Sequence, residues 1–117
     1  GQVSSNPGVE WDGKSPEERV VFERFYVDYD FYETMEFQMA GGRWFDREFA
    51  TDSTKIIINE AAIAAMGLSA QEAVGKQIQL AENFEFDIIG VLKDFHYRSL
   101  HSAVGPAYFR MAGTGNV

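Results

Sequence analysis

The run Ile88-Ile89-Gly90-Val91-Leu92-Lys93-Asp94-Phe95-His96-Tyr97-Arg98-Ser99-Leu100-His101 decides the fold. Its first five residues read as a buried strand: large apolar residues flank Gly90, and a glycine inside a strand lets a neighbouring backbone approach closely. Lys93-Asp94 ends the apolar run and tips the chain toward solvent. The strand therefore leads directly into a turn that carries aromatic residues and two histidines.

Upstream, Gln77-Ile78-Gln79-Leu80 and Phe84-Glu85-Phe86-Asp87-Ile88 both alternate apolar with polar, and Ala81-Glu82-Asn83 between them completes a β-hairpin signature. Ser69 with Glu72 has capping-box spacing and opens a short helix that Gly75 ends. Asn59 caps a helix over Glu60 to Met66, with Gly67 placed as its left-handed terminator. Consecutive isoleucines in Lys55-Ile56-Ile57-Ile58 predict a central strand. Val20 to Asp28 is rich in strand formers, with apolar residues on both parities, which fits a strand covered on both faces. Asp30 with Glu33 has capping-box spacing before a helix over about 31–36. Phe37 to Ala40 reads as extended, Gly41-Gly42 as a turn, and Ala107 to Met111 as a last short strand. The order predicts an α+β fold, a mixed sheet of about five strands with two or three short helices packed on it. Residues 1–19 are polar and turn-rich and read as a flexible linker, with Trp11 pinned on the core surface. Residues 20–112 read as one domain and 113–117 as a frayed tail.

At 117 residues there is material for one core and not for two. The net charge of −8 opposes phosphate backbones and anionic lipid surfaces, so a nucleic-acid partner is excluded. The absence of cysteine removes thiolate zinc sites, disulfides and cysteine nucleophiles together. No apolar run reaches the ~20 residues that cross a bilayer. The chain reads as an excised piece of a longer protein, so this says nothing of the parent.

The chemistry-bearing patterns are sparse. Gly75-Lys76 lacks the glycine and the hydroxyl residue that a phosphate loop requires, which leaves a plain turn into a strand. Arg43 after Gly41-Gly42 is read as anchoring its loop to an acidic neighbour rather than seating an anion. Asp94, His96 and His101 are the only set with metal-ligand chemistry, but their spacing is not that of a one-face histidine pair and they fall one ligand short of a closed site. No metal, cofactor or catalytic residue is assigned, and Ser99 has no nucleophile elbow around it. The acidic pairs read as caps and solvated faces, and Met35, Met39 and Met66 as core filler. Large side chains in loops stand out: Trp44, Phe45, Phe95, His96 and Tyr97 form the candidate partner surface, since loops on a rigid scaffold are where binding residues concentrate. Packing over the sheet edge is the alternative for the aromatic residues among them.

Several segments, in order, resemble one family. Val27-Asp28-Tyr29-Asp30-Phe31-Tyr32-Glu33-Thr34-Met35 resembles its V-x-x-x-F/Y-x-x-x-M entry from strand to helix. Gly42-Arg43-Trp44-Phe45 is similar to its G-R-x-F turn, Ile56-Ile57-Ile58-Asn59-Glu60-Ala61-Ala62 to its V-I-I-N-E strand and helix, and Ala73-Val74-Gly75-Lys76-Gln77-Ile78 to its G-K-x-I turn. With the opening run they span about residues 20–111 and resemble the MacB-like periplasmic core domain of ABC-transporter permeases, of the FtsX-like, Bacteroidetes-type form. The resemblance implies a non-catalytic, periplasmic domain of an inner-membrane permease, soluble when excised, that engages a substrate or partner protein and transmits conformational change. Its implied partners are the transmembrane segments of the same permease, a separate ATP-binding subunit, and a periplasmic protein or exported substrate. It also implies that this piece is the later part of a larger extracytoplasmic domain. The alternative reading is an extracytoplasmic small-molecule or peptide-binding sensor module.

Overall fold

The computed structural model describes residues 9–14, 17, 20–48, 54–80, 84–93 and 105–111. In chain order the elements are β1 (Glu10–Trp11), β2 (Glu23–Val27), α1 (Phe31–Thr34), β3 (Met39–Gly42), β4 (Lys55–Asn59), α2 (Glu60–Met66), α3 (Ala70–Ala73), β5 (Gln77–Leu80), β6 (Phe84–Leu92) and β7 (Ala107–Met111). The strands form one mixed sheet of order β1-β5-β6-β4-β7-β2, with β3 also on β6. This is the expected α+β fold, with seven strands among the described residues instead of about five.

The consecutive isoleucines behave as their sequence predicts. β4 lies between β6 and β7, and Ile56, Ile57 and Ile58 are fully buried because both faces of the sheet are covered. Ile56 and Ile58 join Phe22, Ile78, Phe86, Ile88, Val91 and Tyr108 under α2 and α3; Ile57 joins Val27, Phe37, Phe45, Leu92 and Phe109 on the opposite face. β4 and β6 run parallel, connected through α2, α3 and β5, whereas β5 and β6 form the expected antiparallel hairpin. The run Ile88-Ile89-Gly90 contains a bulge: Ile56 faces Ile88 but Ile57 faces Gly90. One extra residue on β6 restores the alternation, so Val91 returns to the α2 side and Leu92 to the other.

Three helix ends follow their sequence signals and one does not. The Asn59 side chain accepts from the Ala62 amide, and Gly67 closes α2 at φ 75°. Ser69 and Glu72 form the reciprocal capping box of α3. Asp30 makes no side-chain cap, because its backbone is already helical (φ −85°, ψ −11°) rather than extended, as a capping residue requires.

Three other expectations are corrected. Residues 1–19 are not all linker: Glu10–Trp11 pairs antiparallel with β5 and Val9 is buried, while Trp11 packs on the core as expected, edge-on against Phe22 at 6.1 Å. Two residues carry no readable periodicity, so only the partner strand reveals them. Gly41-Gly42 is not a turn but the end of β3, laid against β6. β2 is not covered on both faces: among the described residues it is the last strand of the sheet, and Tyr26 on one of its faces is 53% exposed.

Candidate partner-facing surfaces

Of the residues expected to face a partner, Phe95, His96 and Tyr97 lie outside the described residues, as do Asp94 and His101. Trp44 and Phe45 follow β3 and are pulled into the face that α1 covers. Phe45 is 4% exposed and belongs to the core, so the surface role expected of this pair reduces to Trp44. Trp44 is half-buried, with its ring against Tyr32 (5.3 Å), Phe45 (5.3 Å) and Phe37 (6.0 Å), and its Nε1 donates to the Asp28 carbonyl at 3.4 Å. The Arg43 guanidinium donates to the Trp44 carbonyl at 3.0 Å. Arg47 lies over the Tyr29 ring at 4.7 Å and pairs with Asp30 at 3.7 Å, on the solvent side of the same cluster. Met35 and Met39, half-buried, pack against the buried residues of this face, as expected of flexible packing residues.

Sequence reasoning missed a second surface, at the open end of the other face. There Arg24 and Tyr26 of β2 stand opposite Tyr108 and Arg110 of β7. Both guanidiniums lie over the Tyr26 ring, Arg24 at 5.5 Å and Arg110 at 5.8 Å, and Arg110 also covers Phe86 at 4.4 Å. Phe84, 63% exposed, lies two residues before Phe86 on the same strand face. Burial pushes the Tyr108 phenol up, while the neighbouring Arg24 and Arg110 charges pull it the other way. The parity of Arg24 and Tyr26 in β2 was readable, but the register that brings Arg110 beside them joins distant parts of the chain.

A polar seam lies where β5 and β3 meet the same edge of β6. Ile88 exchanges hydrogen bonds with the Gly75 amide (2.9 Å) and the Lys76 carbonyl (2.8 Å), and the Arg43 amide donates to Ile89 at 3.0 Å. Gly75-Lys76 is therefore a turn into a strand. Lys55 donates to Asp87 at 2.8 Å and Gln77 donates to its other oxygen at 2.8 Å. The Lys55 and Gln77 hydrogen bonds hold the Asp87 carboxyl below the usual carboxylate range. These groups satisfy one another and give no acid–base pair free to work on a ligand. Among the described residues no three His, Cys, Asp or Glu stand together as a metal-binding group, and no helix is long and apolar enough to cross a membrane.

The fold has solved counterparts. A domain described as that of a permease protein from Porphyromonas gingivalis superposes with a TM-score of 0.61 at 15% identity, covering 92% of this chain and 47% of that one. The periplasmic region of MacB from Actinobacillus actinomycetemcomitans gives 0.59 at 15% identity, over 97% of this chain and 56% of its own. The extracellular domain of the noncanonic ABC-type transporter YknZ from Gram-positive bacteria gives 0.60 at 14% identity, over 93% and 56%. The chain thus spans about half the length of the solved domains it resembles. No curated protein matches it. By sequence, residues 2–112 match the MacB-like periplasmic core domain, and the chain belongs to that family of extracytoplasmic domains of ABC-transporter permeases.

Proposed function

We propose that this domain catalyses no reaction and serves as the rigid extracytoplasmic arm of its permease, engaging a substrate or partner protein and passing on conformational change. ATP is hydrolysed on a separate subunit, and transmembrane segments of the same permease carry the motion to the domain. One observation carries this reading: β4, β6 and β7 run through the centre of the sheet with side chains buried on both faces, so the two core clusters form one stiff body. A body packed in this way transmits displacement instead of absorbing it. Partner contact is assigned to the solvent edge of Trp44 together with Phe95, His96 and Tyr97.

The non-catalytic half is tested by titrating the domain with Mg·ATP in a calorimeter. No saturable heat is expected, because Gly75-Lys76 is spent on backbone pairing with β6. Stoichiometric binding at micromolar nucleotide would contradict the assignment.

A further inference from the structure

We infer that the outer edge of β2 accepts an extended segment of a protein partner in which acidic residues alternate with apolar ones. This surface lies on the opposite side of the sheet from Trp44 and is not part of the function proposed above, although it supplies that function with a partner chemistry.

Three observations converge on it. First, β2 ends the sheet among the described residues and is bonded to β7 alone. The Glu23 amide donates to the Pro106 carbonyl at 2.9 Å. Because backbone direction alternates along a strand, Glu23, Phe25 and Val27 turn their amides and carbonyls toward β7, and Arg24 and Tyr26 turn theirs outward. An edge of this kind is a ready template for another strand.

Second, Arg24, whose backbone groups face outward, is exposed and shares a cationic cluster with the half-buried Arg110 of the neighbouring strand β7. Arg24 and Arg110 make ring contacts to Tyr26 and Phe86 and no ion pair with any carboxylate among the described residues. In a chain of net charge −8, two guanidiniums that pair with no carboxylate among the described residues, one on the edge strand and one on the strand beside it, form a local positive field. Stacked on aromatic rings, they are held in place to receive carboxylates.

Third, the two faces of β2 differ. A strand added beside it would set alternate side chains next to Arg24 and Tyr26 on one face. The intervening side chains would lie next to Phe25 and Val27 on the other, where Phe25 stacks on Phe109 at 5.1 Å and 14°. Acidic on one parity and apolar on the other is the pattern this edge reads. The acidity of the domain as a whole argues against an anionic membrane as the occupant.

The test is a titration of the isotopically labelled chain with a synthetic peptide of alternating Glu and Val, followed through the backbone amides by NMR. Shifts are expected at Glu23 to Val27 and at Arg110. A Lys-for-Glu peptide should give none, and Arg24→Glu should weaken binding about tenfold, as loss of one close charge pair does. Arg24 is exposed, so this variant keeps the fold; Arg24→Gln, expected to be intermediate, checks that charge is responsible. A Glu-Val peptide methylated on alternate backbone nitrogens keeps its charge but cannot pair as a strand, and it should not bind. The inference is overturned if the Glu-Val peptide moves no amide of β2, if Arg24→Glu binds it equally well, if the methylated peptide binds as tightly, or if phosphatidylglycerol vesicles shift these amides while the peptide does not. Binding is read on this domain alone, so failure here leaves the mechanical role standing, and failure of that role leaves this result unchanged.

Discussion

Gly42→Ala is expected to destabilise the domain by about 3 kcal/mol or more, because two independent penalties act at one residue. Gly42 sits at φ 71°, where an L side chain is strained by about 1 kcal/mol. A Cβ added there would also run into the Ile89 carbonyl oxygen and lie 2.6 Å from the Gly90 Cα. Those neighbours are backbone and cannot rotate away, so β3 would have to lift off β6. Gly90 is the reciprocal surface: its own Cβ would meet the Arg43 carbonyl, and the Met39 Cε at 2.5 Å. Gly67 separates the two penalties, since it has φ 75° but nothing within 4 Å of an added Cβ. Urea unfolding followed by circular dichroism should show Gly67→Ala losing only the ~1 kcal/mol conformational share. Equal losses at Gly42 and Gly67 would mean that β3 does not approach β6 as closely as described.

Asn59→Ala should be nearly as damaging, on the order of 3 kcal/mol, through hydrogen bonds rather than packing. Asn59 is 1% exposed and is the one buried polar side chain among the described residues. Its Oδ1 accepts from the Ala62 amide (3.0 Å) and the Ala107 amide (3.0 Å), and its Nδ2 donates to the Gly105 carbonyl at 2.9 Å. It therefore fixes both the start of α2 and the entry of β7, the strand that inserts between β4 and β2. Removing the amide leaves buried backbone groups without partners, each worth about 1–3 kcal/mol. Urea unfolding followed by circular dichroism reads the loss, and an Asn59→Ala variant within about 1 kcal/mol of wild type would contradict the assigned bonds.

These two residues also mark what the sequence made legible. Asn59 and Gly67 as caps, the Ser69–Glu72 box and the hairpin were readable because each signal lies within a few residues of what it bonds. Met39-Ala40 of β3 read correctly as extended, but its second half was misread as a turn since Gly41-Gly42 carries no side-chain pattern. What makes it a strand is the close backbone approach of β6, to which Gly90 had pointed from the other side. β1 is two residues long and shows as a strand only through its pairing with β5. The Ile88-Ile89 bulge hides a regular alternation behind two consecutive apolar residues. Asp30 has the spacing of a cap but the wrong backbone conformation, which spacing alone does not reveal. Among the expected surface residues, Phe45 went into the core because the loop after β3 folds back over Phe37 and Phe109. The Arg24–Tyr26–Arg110 cluster depends on pairing between the first long strand and the last, and no local pattern announces it.

The mechanical role is tested most directly by spin-label distances in the full permease assembled with its ATP-binding subunit. Val21, just before β2, and Gln71, in α3, are both exposed, and the chain has no cysteine of its own to interfere with labelling here. Between the nucleotide-free and ATP-bound states, the Val21–Gln71 distance should stay fixed while the distance from each to a label on a transmembrane segment shifts. A domain that moves as one stiff body gives that pair of results. Unchanged domain-to-membrane distances, or a Val21–Gln71 distance that varies with nucleotide, would contradict it.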